Sequence, residues 1–100
     1  MAVTLPEGDL SSRLERYLDG FKNRHGLEEA EVVGDTVRLV IEPGIVPAVL
    51  TTARESLGIL HLAFITVVDR EGSFEITYEL LDFRGARVRV KTTVEVRSRL

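Results

Sequence analysis

Between His61 and Asp69 the chain reads HLAFITVVD. Successive side chains of a strand point to opposite sides, so a strand with one face in water alternates apolar and polar residues. Here both alternating sets are apolar: Leu62, Phe64 and Val68 in one, Ala63, Ile65 and Val67 in the other. Such a strand needs cover on both faces. The pattern predicts a strand inside a sheet, flanked on both sides, with one set under helices and the other forming a surface that needs a partner. Periodicity leaves open which set does which.

The rest of the chain has little to cover a second face. Leu10, Leu14, Tyr17, Leu18 and Phe21 recur at three- and four-residue spacing, which predicts an amphipathic helix from Asp9, as N-cap, to about Arg24, with Gly26 just past its end. EAEVVGDTVRLVIE predicts two strands about a Gly34-Asp35 turn, pairing Val33 with Thr36, Val32 with Val37 and Glu31 with Arg38. Pro47 then opens a short second helix that runs to a capping Gly58.

After it come three strands in a meander, about His61 to Asp69, Phe74 to Asp82 and Arg87 to Arg97. Asp69 to Gly72 suits a type I turn. Phe74, Ile76, Tyr78 and Leu80 form one face of the middle strand, and Glu75, Thr77 and Glu79 the other. On the last strand Val88, Val90, Val94 and Val96 alternate with a comb that includes Arg87, Arg89 and Lys91. A two-residue loop would set Leu80 against Arg89. A three-residue loop, Phe83 to Gly85 with Gly85 left-handed, sets Leu80 against Val88, Glu79 against Arg89 and Thr77 against Lys91. The order is αββαβββ, an α+β chain, and its natural packing is a two-layer α/β sandwich: a five-stranded sheet with both helices on one face.

Composition excludes several functions. With 13 basic and 16 acidic residues the net charge is −3, so no overall field draws the chain to phosphate or anionic lipid, and nucleic acid is not an expected partner. There is no cysteine, hence no disulfide, thiolate-held zinc or cysteine-held iron–sulfur cluster in this chain. The start, MAVTLPEGDL, lacks a basic region followed by an apolar run, and no apolar stretch approaches the ~20 residues that span a bilayer. The expectation is one cytoplasmic domain over residues 1–100.

Catalytic patterns are thin. His25 and His61 fall on different elements without a linking motif, His25 at a helix end where its partial charge suits the dipole and His61 at a strand start. Glu75 and Glu79 lie four apart on one strand, roughly 13 Å by strand rise, and face basic neighbours. They read as a solvated or partner-facing surface. The expected interface combines Leu62, Phe64 and Val68 with Glu75, Glu79, Arg87, Arg89 and Lys91; no catalytic, metal or cofactor-binding residue is expected. Two other readings stand beside it: a homo-oligomer whose apolar sheet faces pair across a two-fold axis, and a small-molecule pocket near His61 and Tyr78.

HL, ITVVD, FEITYELL and RVRVK, in that order, give the run from Leu57 to Val94 a resemblance to the 30 kDa subunit family of NADH-quinone oxidoreductase, the NADH dehydrogenase of the respiratory chain known as complex I, and to its counterparts in membrane-bound energy-converting [NiFe] hydrogenases. The upstream helix, strand pair and second helix agree as well. The resemblance implies a mixed sheet and a cofactor-free, non-catalytic subunit at the cytoplasmic side of the membrane. It would brace a hydrogenase-like large subunit and an iron–sulfur small subunit. The family's proline- and serine-containing stretch, its acidic motif and the tail that clasps neighbouring subunits have no counterpart in these 100 residues, so contacts of that tail do not carry over.

Overall fold

A computed structural model of the chain describes residues 9–59 and 61–96. Helix α1 spans Leu10–Arg24, strands β1 and β2 span Glu29–Val33 and Thr36–Ile41, a 3-10 turn covers Pro43–Ile45, helix α2 spans Val46–Thr51, and strands β3, β4 and β5 span His61–Arg70, Ser73–Leu81 and Arg87–Glu95. The sheet order is β1-β2-β5-β4-β3, with β2 and β5 parallel and every other neighbour antiparallel. This is the expected α+β architecture: a mixed five-stranded sheet with two helices on one face.

Alternation sets the core. Val37, Leu39 and Ile41 lie beside Val88, Val90 and Thr92 across the parallel seam, and Val88 and Val90 face Leu80 and Tyr78 on β4. Leu14, Tyr17, Leu18 and Phe21 of α1 and Val46, Val49 and Ala53 of α2 and the turn after it close over that surface in one buried cluster. At roughly 25 cal/mol per Å² this burial is the main driving force for the fold. Thr92 is the polar member of the row, and its hydroxyl donates to the Ile41 carbonyl at 2.7 Å.

Local chemistry starts and stops the elements. Asp9 caps α1 by accepting from the Ser12 amide at 2.8 Å, as expected. The helix does not leave through a left-handed Gly26. His25 takes an extended conformation, its amide donates to Phe21, and its Nε2 lies 2.8 Å from Thr52 Oγ1. Helix α2 has Pro47 in its first turn and continues as a π turn over Thr52–Ser56, closed by the Leu57 amide on the Thr52 carbonyl at 3.1 Å. Gly58, at φ 72°, reverses the chain and drops Ile59 into the core.

All three pairings expected for the first hairpin are present. So are Leu80 with Val88, Glu79 with Arg89 and Thr77 with Lys91, with Gly85 at φ 90° in the β4–β5 loop. The turn after β3 differs from the type I turn expected over Asp69 to Gly72. Arg70 pairs with Ser73, leaving Glu71 and Gly72 at the tip with Gly72 at φ 81°, a value type I turns do not use. Strand β5 ends at Glu95, and Arg97, its expected end, lies outside the described residues.

The larger correction concerns β3. Among the described residues it is an edge strand, paired only with β4, and not an interior strand flanked on both sides. The parallel join between β2 and β5 places β5 at the centre of the sheet and sends the meander outward, so the doubly apolar strand comes last.

Candidate partner-binding surface

Helix α1 packs on β1 and β2, and the 3-10 turn reaches β5. Toward its β3 edge the helix-side face of the sheet becomes steadily more exposed among the described residues. Val88 in the centre is 0% exposed, whereas Val67 on β3 is 58% exposed. Ile65 lies opposite Tyr78, Val67 opposite Ile76, and Phe74 between Asp69 and Val94, so the outer hairpin carries an apolar face that the described residues leave open to solvent.

A β-bulge decides which residues share that face. Leu62 pairs with Leu80, but the next pair is Phe64 with Glu79, so Ala63 is an extra residue on β3. Leu62 therefore stays on the helix side, in a groove of about 390 Å³ that it lines with Leu50, Arg54, Ile59 and Leu80. Phe64 and Val68 stand on the opposite face beside Glu79 and Glu75. The apolar trio expected from the sequence is thus divided between the two faces. Strict alternation holds no signal for an inserted residue.

The helix-free face carries the expected charges, already matched to one another. Glu31, Arg38, Arg89, Glu79 and Phe64 form one row across all five strands. Glu79 is buried, and Arg89 grips it with Nη2 at 3.0 Å and Nε at 3.3 Å from Oε2, while Arg87 Nη1 lies at 4.0 Å. Arg38 pairs with Glu31 at the far end of the row. Glu75 receives Arg70 at 3.3 Å and Lys91 at 3.5 Å. The Arg70 hydrogen bond above all, with the Lys91 charge behind it, holds the Glu75 carboxyl below its usual range against the opposing pull of burial. Phe64, 54% exposed, is the apolar end of a charged row.

A second feature lies at the β4–β5 loop. Asp82 Oδ1 accepts from the amides of Arg84 and Ala86 at 2.8 and 2.9 Å, and Oδ2 from the Tyr17 hydroxyl at 2.8 Å and Arg13 Nε at 3.1 Å. Burial works to raise the Asp82 pKa, but these hydrogen bonds outweigh it and hold the carboxyl below its ordinary value. Burial and then the carboxylate push the Tyr17 hydroxyl upward. The clamped loop presents Phe83 at 90% exposure. An aromatic side chain held outward on a fixed loop is the form interface anchors take. In the sequence, Phe83 between Asp82 and Arg84-Gly85 carries only the signal of turn chemistry.

The arrangement does not assemble a reaction site at the expected alternative. His61 pairs with Leu81 on the helix-free face, whereas Tyr78 lies on the helix side, so the two project to opposite sides of the sheet. His61 instead lines a shallow cavity of about 230 Å³ with Leu81, Asp82 and Phe83. Among the described residues no group of three or more acidic or histidine side chains is placed to hold a metal, and no helix is long and apolar enough to cross a membrane.

No protein-family model matches the sequence, and no curated protein matches it. Among solved structures, the fold is similar to a chain of the membrane-bound sulfane sulfur reductase, an archaeal respiratory membrane complex, with a TM-score of 0.66 at 20% identity. The match covers 83% of this chain and 51% of that one, so this chain spans about half the length of the chain it resembles.

Proposed function

We propose that this chain is a non-catalytic accessory subunit of a membrane-associated respiratory complex, of the NADH-quinone oxidoreductase or energy-converting hydrogenase type. In this reading it carries no cofactor and braces a hydrogenase-like large subunit and an iron–sulfur small subunit, lying peripheral to the membrane on its cytoplasmic side. The observation that carries it is the uncovered apolar face of the β3–β4 hairpin, with Ile65, Val67 and Phe74 in the open. Contiguous exposed apolar surface on a small domain marks an interaction site. The absence of cysteine and the fold shared with a chain of a respiratory membrane complex support the same reading.

Co-purification tests it. Tagged protein recovered from its native cells is expected to bring down a hydrogenase-like large subunit, and Val67→Asp is expected to abolish recovery while leaving the isolated domain folded. Recovery of the tagged chain without such a subunit would overturn the proposal.

A further inference from the structure

The two edges of the sheet are built differently. Edge β1 is five residues long, carries Glu29 and Glu31, and lies under α1. Edge β3 is ten residues long and has no proline. Its ionisable side chains are confined to the ends, at His61, Asp69 and Arg70. Its one bulge, at Ala63, leaves Phe64 to Arg70 in unbroken register with β4. Edge strands are ordinarily blunted by charge, proline, shortness or irregularity, because a regular apolar edge is a template for another strand. Over its outer seven residues β3 has none of these protections except at the tip.

We infer that β3 pairs antiparallel with β3 of a second copy, about a two-fold axis level with Thr66. Such an axis stands normal to the sheet and sets residues of the same face opposite each other, so it must lie level with a residue, midway between that residue and its own copy. Centred on Thr66, the register puts Ile65 of one copy against Val67 of the other, Phe64 against Val68, and Thr66 against itself. Asp69 then meets Ala63. Every apolar residue from Phe64 to Val68 finds an apolar one, and no two like charges are opposed.

The neighbouring registers are worse. An axis level with Val67 sets Ile65 against Asp69 and Phe64 against Arg70. An axis level with Ile65 sets Phe64 against Thr66 and the bulged Ala63 against Val67 inside the ladder, whereas the Thr66 register meets the bulge only at its end, opposite Asp69. The residues beyond the seam fit the Thr66 register as well, since Ile65 is backed by Tyr78 and Val67 by Ile76 on the helix side. On the other face Phe64 and Val68 are backed by Glu79 and Glu75, whose charges are already held within one copy by Arg89, Arg70 and Lys91.

The product is a continuous ten-stranded sheet in which the two exposed apolar faces become one. A single strand pair is small beside the roughly 800 Å² per partner of a standard stable interface, so the dimer forms with rising concentration and dissociates on dilution. This inference rests on the geometry of the edge and not on the accessory-subunit reading. Loss of co-purifying subunits leaves it standing.

The absence of cysteine allows a register test with single-cysteine variants. Only a residue level with the axis meets its own copy, and strand neighbours lie within the Cα separation a disulfide needs. Under mild oxidation Thr66→Cys is expected to give an interchain disulfide at least ten-fold faster than Ile65→Cys or Val67→Cys alone. An equal mixture of the latter two is expected to cross-link with each other at a rate comparable to Thr66→Cys. Sedimentation velocity on the unmodified chain is expected to show a monomer–dimer equilibrium. A chain that stays monomeric at millimolar concentration, or a dimer in which Thr66→Cys cross-links no faster than Ile65→Cys, would overturn the inference.

Discussion

The hydroxyl of Tyr17, in the second turn of α1, donates to Asp82 at the end of β4 at 2.8 Å, joining residues 65 positions apart. Arg13, one helical turn earlier, reaches the same carboxylate oxygen at 3.1 Å. The first helix is thus tied to the meander by one acidic side chain whose four hydrogen bonds leave little of it exposed.

Removing that side chain takes one partner from buried Arg13, which keeps the Arg84 carbonyl at 3.3 Å, and takes the acceptor from the buried Tyr17 hydroxyl. Asp82→Ala is expected to cost about 2–3 kcal/mol at pH 7, read from urea unfolding. The pH dependence has a definite sign. The folded-state pKa of Asp82 lies below its unfolded value, so its contribution is present at neutral pH and is lost as pH falls below about 4 through the folded value. The gap between wild type and Asp82→Ala therefore narrows on acidification, and a gap that stays constant to about pH 2.5 would show that the carboxylate charge is not what matters.

Burial separates the two faces of the outer and inner strands. Leu39→Ala, in the centre of the core, is expected to lose about 2–5 kcal/mol. Val67→Ser, on the exposed hairpin, is expected to stay within about 0.5 kcal/mol of wild type in the same denaturation series. A large loss for Val67→Ser in dilute monomer would mean that something within the chain covers it.

Phe83 gives a complementary contrast. Phe83→Ala is expected to leave the melting temperature within a degree or two while reducing the yield of any co-purifying subunit. Unchanged recovery would remove Phe83 as an anchor.

Gly85 sits at φ 90°, where a side chain is strained whatever space surrounds it. Gly85→Ala is expected to cost about 1–3 kcal/mol. Circular dichroism melts would show it, and the same substitution at Gly44, which has open space about it and no positive φ, serves as the control.

How far the sequence determines this fold depends on range. Registers fixed by short loops are legible: Glu31 with Arg38 and Leu80 with Val88 follow from turn chemistry and face matching, because a wrong register would bury charge. The position of β3 is not legible. Two apolar faces fit an interior strand and an edge strand that meets a partner equally well, and the deciding contact, β2 against β5, leaves no local trace. The bulge at Ala63 is hidden for a related reason. A bulge is one residue out of phase, and a run apolar in both phases cannot reveal a change of phase. Among the expected interface residues Glu75, Glu79, Arg87, Arg89 and Lys91 share one face, while that single insertion separates Leu62 from Phe64 and Val68.

The parallel seam also orders events in time. Each hairpin closes between near neighbours in sequence, but the centre of the sheet joins residues such as Thr92 and Ile41, 51 positions apart. Long loops close late, because their entropy is lost before contacts repay it. The chain should therefore behave as two locally formed halves, α1-β1-β2 and β3-β4-β5, that zip together in a final step. In pulse-labelled hydrogen exchange, amides of the β3–β4 ladder are then protected before those of β2 that face β5, and until the zipper closes the growing meander has an unpaired edge on each of its sides.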